Sequence, residues 1–134
     1  MVKPPDSTTY SSSLVRAVLA FGAAVKDLRV EDALLLVDPK VTCFALVRPG
    51  LSVYQGHEGV ASLITYMHAA YGSYQIEVEE ITEVPGLEVT VRARVVPEPG
   101  YQPPPPPAVT RYTFRNGLIA AIESEPGTSG AGSG

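Results

Sequence analysis

Apolar residues recur at helical spacing in three stretches of the first half of the chain. In residues 12–28 they form one stripe, because side chains three and four positions apart lie on the same side of a helix. A shorter helix is expected over residues 31–37, ended by Pro39, which disfavours helical geometry in the residue before it. Residues 57–71 predict a third amphipathic helix.

Alternating and β-branched segments indicate strands in the rest of the chain. Residues 41–47 and 51–54 flank a turn at Pro49-Gly50, and Asn116-Gly117 is a dipeptide typical of a tight hairpin. Because helices and strands are segregated and the last strands form a meander, the pattern predicts the α+β class. The four later segments with a strand pattern are residues 74–84, 87–96, 109–115 and 118–123.

The later strands each have an apolar face and a polar face, so the helices are expected to cover the apolar one. Acidic residues on one strand would lie beside arginines on the next two, and each cross-strand ion pair contributes about 0.2–1 kcal/mol. This polar face is either a solvated surface or a dimer interface. Its charged residues are Glu77, Glu79, Arg92, Arg94, Arg111 and Arg115.

The length of 134 residues fits one domain. We expect a flexible arm over residues 1–11, a single domain over residues 12–125 and a flexible Gly/Ser tail over residues 126–134. Within the domain, residues 97–107 are rich in proline and favour polyproline II geometry. This segment is either a solvent-exposed loop or a recognition strip for a protein partner.

Charge and cysteine content exclude several classes of function. A net charge of −4 argues against nucleic acid as a partner, because phosphate binding needs a basic surface. The single cysteine, Cys43, rules out an internal disulfide and the usual zinc and redox motifs. No apolar run is long enough for a membrane span, so we expect a cytoplasmic protein that binds no membrane and no cofactor.

The segment Tyr54-Gln-Gly-His-Glu-Gly-Val60, which opens the third helix, resembles the nuclear-transport-factor-2-like superfamily, especially its SnoaL-like branch. Residues 34–39 and 112–119 support the resemblance, which spans residues 12–124. It implies a curved antiparallel sheet wrapped around the three helices, forming a cone-shaped α+β barrel around an apolar pocket. Many members of the superfamily dimerise through the sheet, so a homodimer is expected.

The resemblance carries over few catalytic residues. It places the steroid-isomerase base near Phe44, the hydroxyl donor near Val18 or Leu19, and the second acid at Thr110. A phenylalanine cannot take up a proton, so we exclude that chemistry. The paired aspartates of the epoxide hydrolases are also missing from the expected strands. SnoaL-type cyclases use an aspartate or a histidine, and only the histidine option stays open.

His68 and Tyr112 are the candidate catalytic residues. His68 lies at the edge of the apolar stripe of the third helix, and histidine is the residue type best suited to general acid or base work near neutral pH. The alternative is a boundary histidine with one wet nitrogen, and for Tyr112 a core aromatic residue. The expected ligand-binding lining is Phe21, Val25, Phe44, Leu63, Ile64, Met67, Val91, Thr110 and Phe114, together with Tyr112.

Two functions are compatible with these patterns. The first is a SnoaL-like protein that binds an apolar small molecule and, if it is an enzyme, acts as a cofactor-free cyclase or isomerase by proton transfer. The second is a non-catalytic dimerisation or assembly module that presents residues 97–107 to a protein partner. An enclosed cavity with a polar group would favour the first function, and a filled core the second.

Overall fold

A computed structural model describes residues 12–45 and 52–127. The expected arm, the Pro49-Gly50 turn and residues 128–134 of the expected tail lie outside the described residues. The helices are α1 (Ser13–Lys26), α2 (Val30–Leu34) and α3 (Gly56–Tyr71). The strands are β1 (Val37–Ala45), β2 (Ser52–Gln55), β3 (Gln75–Val84), β4 (Glu88–Val96), β5 (Ala108–Arg115) and β6 (Leu118–Pro126).

The first helix forms where its apolar stripe predicts it. The Ser12 hydroxyl caps its start by accepting hydrogen bonds from the backbone N–H groups of Leu14 (3.1 Å) and Val15 (3.4 Å). Beyond its end, Leu28 adopts a positive φ of 58° and redirects the chain. The stripe packs against the sheet and α3, as the sequence predicts. Its buried residues are Val15, Val18, Phe21, Ala24 and Val25.

The second helix is shorter than predicted, ending at Leu34 instead of residue 37. Val37 starts β1 instead, where it is 2% exposed and pairs with Ile119. Burying this β-branched residue beside a distant strand outweighs continuing the helix. Pro39 therefore lies inside β1, where the register shifts between Val37 and Thr42.

All six strands described form one sheet in the order β2-β1-β6-β5-β4-β3. The predicted α+β class with a curved sheet around helices is confirmed, but two details are wrong. The β1–β6 pair is parallel, so the sheet is mixed, and β2 and β3 are free edges, so it is not a closed barrel. Local patterns predict neither feature, because β1 and β6 are neighbours in the sheet but are separated in the sequence by the other four strands.

The outer face of the sheet carries cross-strand ion pairs, of which Arg94–Glu77 is of the predicted kind and Arg111–Glu123 is an additional one. Arg94 Nε lies 2.9 Å from Glu77 Oε1, and Arg111 Nε lies 3.6 Å from Glu123 Oε1. These side chains are about half exposed, so each pair contributes at most about 1 kcal/mol. A dimer interface on this face stays a prediction.

No helix in residues 12–45 and 52–127 is long and apolar enough to cross a membrane.

One aspartate lies on a strand, contrary to the prediction that none does. Asp38 belongs to β1, but its carboxylate accepts the Lys40 N–H (2.8 Å) and pairs with Arg115 (3.4 Å). The Lys40 hydrogen bond and the Arg115 charge hold the pKa of Asp38 below its ordinary value. It does not line the cavity described below, so it supplies no epoxide-hydrolase carboxylate there.

Candidate ligand-binding site

A cavity of about 340 Å³ lies between the helices and the inner face of the sheet. Its wall is mostly apolar and is partly open to solvent. This volume lies at the lower end of the range of small-molecule sites, about 300–1,000 Å³. The helices contribute Val18, Phe21 and Val25 from α1 and Leu63 and Met67 from α3.

Most of the predicted lining residues do surround this cavity. Whether they bind a ligand stays a prediction. The predicted residues in the wall are Phe21, Val25, Leu63, Met67, Val91, Thr110 and Tyr112.

Three predicted lining residues lie elsewhere. On β1 the cavity is lined by Cys43 and Ala45, so strand alternation turns Phe44 to the other face. Ile64 is fully buried in the main core and does not reach the cavity. Phe114 packs against the smaller apolar cluster beneath the start of α1, beyond a register shift in β5.

His68 does not line the cavity. Its Nε2 lies 3.2 Å from the backbone carbonyl oxygen of Val25 in the last turn of α1. A carbonyl only accepts, so this nitrogen carries the proton and donates. His57 makes the same kind of contact, with Nε2 3.1 Å from the Val37 carbonyl oxygen. In this arrangement both histidines tie α3 to the neighbouring backbone.

Tyr112 contributes a polar group to the wall. Its ring packs edge-on against Phe21, with centroids 6.4 Å apart. Desolvation raises the pKa of the Tyr112 hydroxyl, with a smaller contribution from Cys43, so it stays protonated at neutral pH. Burial likewise raises the pKa of the Cys43 thiol to about 12, which makes it a poor nucleophile. Thr110 Oγ1 is engaged with Ser124 Oγ at 2.9 Å.

Tyr74 is a wall residue that the sequence reasoning missed. Its side chain is 0% exposed, and its hydroxyl has no hydrogen-bond partner among the described residues. Burial raises the pKa of the Tyr74 hydroxyl, and the Asp27 carboxylate raises it further. The sequence could have predicted it, because alternate residues of an extended segment point to the same face. Tyr74 alternates with Ile76 and Val78, which also line the cavity.

Residues 97–107, which we call the proline strap, contact the C-terminal end of α3 and reach the cavity wall through Pro105 and Pro106. The Glu98 N–H donates to the Tyr71 carbonyl oxygen (2.9 Å), and the Gln102 N–H donates to the Ala70 carbonyl oxygen (3.0 Å). The strap is therefore fastened to the end of α3, while most of its residues are exposed to solvent, as the loop alternative predicts.

A glycine makes this fastening possible. Gly72 has φ +68°, and a Cβ there would lie 2.5 Å from Glu98 Oε1 and 2.7 Å from Tyr101 Cε1. The Glu98 carboxylate also accepts the Ser73 N–H at 2.8 Å. The end of α3 is thus shaped to receive the strap.

Within the described part of the chain, no group of three or more His, Cys, Asp or Glu side chains could hold a metal ion. The cavity wall itself contains no carboxylate or imidazole among its described residues. Its polar groups are phenols, hydroxyls, one thiol and the cationic Lys26. Arg94 also borders the cavity, but its guanidinium pairs with Glu77 on the outer face of the sheet. This set can donate hydrogen bonds but offers no obvious general base.

The fold matches solved structures of the nuclear-transport-factor-2-like (NTF2-like) and cystatin type. A cystatin fold protein from Novosphingobium aromaticivorans is 21% identical with a TM-score of 0.68, covering 85% of this chain and 97% of that one. Other matches are named NTF2-like or ketosteroid isomerase-like. The resemblance predicted from the sequence is therefore confirmed for the fold.

Three of the matching structures contain small molecules, one of them the ketosteroid isomerase-like protein from Catenulispora acidiphila, in complex with trimethylamine. Rv0760c from Mycobacterium tuberculosis, in complex with estradiol-17beta-hemisuccinate, is 20% identical with a TM-score of 0.70, covering 84% of this chain and 92% of that one. TerC, co-crystallised with polyporic acid, is 22% identical with a TM-score of 0.68, covering 90% and 95%. No family model matches the sequence, and no curated protein matches it.

Proposed function

We propose that this protein is a SnoaL-like small-molecule-binding protein that holds an apolar ligand in the cavity between its helices and sheet. The observation that carries the proposal is the cavity itself, about 340 Å³ of space with apolar walls. Because the cavity is partly open to solvent, its apolar walls face water in the free protein. An apolar molecule that displaces this water buries apolar surface, which favours its binding.

Binding is better supported than catalysis. The candidate base, His68, faces the Val25 carbonyl oxygen with Nε2, and the described wall holds no carboxylate or imidazole. If the protein is an enzyme, its chemistry would be a cofactor-free cyclase or isomerase reaction with Tyr112 as the hydroxyl donor. The small molecules bound by Rv0760c and TerC support a ligand for the same fold.

The alternative assembly function has weaker support. The proline strap is fastened to α3 and contributes Pro105 and Pro106 to the wall, so part of it is already used within the chain. A homodimer through the outer face of the sheet and a cytoplasmic location are further parts of the proposal. Native mass spectrometry of freshly purified protein tests the dimer mass and any retained ligand together.

A dye-binding experiment tests the proposed cavity. N-phenyl-1-naphthylamine is neutral and apolar, and its fluorescence rises when it leaves water. Gly22 lies in the cavity wall, and a Cβ added there would meet no described atom within 4 Å. Gly22→Leu should therefore fill part of the cavity and weaken dye binding about tenfold or more, equivalent to about 1.4 kcal/mol.

The matched control is Ala20→Leu, which adds a similar side chain at an exposed position of α1. It should leave dye affinity unchanged. Equal weakening by both variants, or no dye binding by the unmodified protein, would overturn the proposal. A 1:1 complex lost only in Gly22→Leu would support it.

A further inference from the structure

The Tyr74 hydroxyl is a buried polar group in an otherwise apolar part of the molecule. Tyr74 lines the cavity, is fully buried and has no hydrogen-bond partner among the described residues. Native proteins rarely bury a hydroxyl in this way, because it loses its hydrogen bonds to water and gains none in return. An exception of this kind in a cavity wall calls for a partner from outside the chain.

The surroundings of Tyr74 hold its ring in place. The His68 ring packs beside it with centroids 5.2 Å apart, and the Tyr71 ring meets it edge-on at 6.3 Å. His68 is itself held by its contact with the Val25 carbonyl oxygen. These contacts place the ring beside the cavity, and because the Tyr74 hydroxyl has no accessible surface, a ligand atom reaches it only when the Tyr74 side chain moves toward the cavity.

The hydroxyl stays a neutral donor. Burial and the nearby Asp27 carboxylate both disfavour the phenolate. Two other wall hydroxyls, those of Thr110 and Ser124, are hydrogen-bonded to each other. A ligand group that accepts a hydrogen bond is the partner that a neutral phenol donor lacks.

We propose that Tyr74 is the specificity-determining contact of the cavity and donates a hydrogen bond to a carbonyl oxygen on an otherwise apolar, uncharged ligand. This inference rests on the proposed function, because it names the class of ligand for the same cavity. A carboxylate in this position is disfavoured, since it would have to lose its water inside an apolar wall.

A matched pair of probes tests the contact. 9-Fluorenone and fluorene share one ring skeleton and differ in a single carbonyl oxygen. The ratio of their dissociation constants is measured for the unmodified protein and for Tyr74→Phe. Comparing the two ratios cancels the different hydrophobicity of the probes. We expect Tyr74→Phe to weaken fluorenone relative to fluorene by about three- to tenfold, the effect of one neutral hydrogen bond.

Tyr71→Phe is the control, because it removes a neighbouring buried phenol that does not line the cavity. It should leave the ratio unchanged. The carbonyl stretch of bound fluorenone gives a second readout, which should move to higher frequency in Tyr74→Phe when the hydrogen bond is lost.

The outcomes separate the two proposals. If both probes bind and the ratio and carbonyl stretch are the same with and without the Tyr74 hydroxyl, the inference is wrong while the cavity still binds apolar molecules. If neither probe binds the unmodified protein, the proposed function fails and the inference fails with it. A shift in both readouts confined to Tyr74→Phe supports the assigned contact.

Discussion

Gly22 lies in the interior of α1 and forms part of the cavity wall. Glycine is a poor helix former, because it has the most backbone freedom to lose on folding. In a helix interior it is about 1 kcal/mol less favourable than alanine. Since a Cβ at Gly22 would meet no described atom within 4 Å, no steric cost offsets this gain. We therefore expect Gly22→Ala to raise the free energy of unfolding by about 1 kcal/mol.

The measurement is urea denaturation followed by circular dichroism, supported by a thermal melt. About 1 kcal/mol corresponds to an increase in Tm of roughly 3–5 °C for a domain of this size. The matched control is the reverse exchange, Ala20→Gly, at an exposed position of the same helix. It should lower the free energy of unfolding by a similar amount, because it imposes the same backbone cost without touching the cavity.

The two variants together test the reasoning. If Gly22→Ala destabilises the protein while Ala20→Gly behaves as expected, the space beside Gly22 is not open and the cavity is smaller than described. If it stabilises the protein, the glycine costs stability in the native sequence. Such a loss of stability is expected where a helix carries glycine, without a side chain, to leave room for a bound molecule.

Three further variants or reactions test other parts of the structure. Gly72→Ala should lower the free energy of unfolding by about 1–3 kcal/mol in urea denaturation, because its φ of +68° and its contact with Glu98 both demand glycine; unchanged stability would mean that the strap is not seated there. The pKa of Asp38 is lowered in the folded state, so its stabilising contribution is present above its ordinary pKa of 3.8 and is lost as the pH falls below that value. Asp38→Asn should therefore reduce the loss of stability between pH 5 and pH 3 in urea titrations, and an identical loss in both proteins would contradict the Arg115 and Lys40 contacts. With a pKa of about 12, the Cys43 thiol should resist iodoacetamide at pH 8 until the protein is unfolded, and rapid labelling of the native protein, followed by mass spectrometry, would contradict its burial.

Local patterns predicted the elements well and their distant partners poorly. The apolar stripe of α1 and the alternation in β4 and β5 each follow from the period of one element, and the structure confirms them. The end of α2 and the parallel β1–β6 pair depend on Val37 meeting Ile119, which lies 82 positions later. No local spacing reports such a contact.

The candidate site shows the same division. Alternation puts Cys43 and Phe44 on opposite faces of β1 but does not say which face is inward, and Phe44, the predicted lining residue, faces away from the cavity. The position of His68 beside the Val25 carbonyl oxygen joins residues 43 positions apart. The position of Tyr74 on the cavity side could have been predicted, because it alternates with Ile76. That its hydroxyl has no hydrogen-bond partner among the described residues could not, because this depends on the positions of all the surrounding atoms.

The proline strap has a consequence for the free protein. Seven of its eleven residues are proline, whose ring fixes φ covalently, so little backbone freedom remains to be lost when the segment is ordered. The hydrogen bonds to Ala70 and Tyr71 then set the position of this stiff segment on the molecule. The rim of the cavity near Pro105 and Pro106 is therefore preorganised in the free protein, and a ligand must fit the existing shape of this rim.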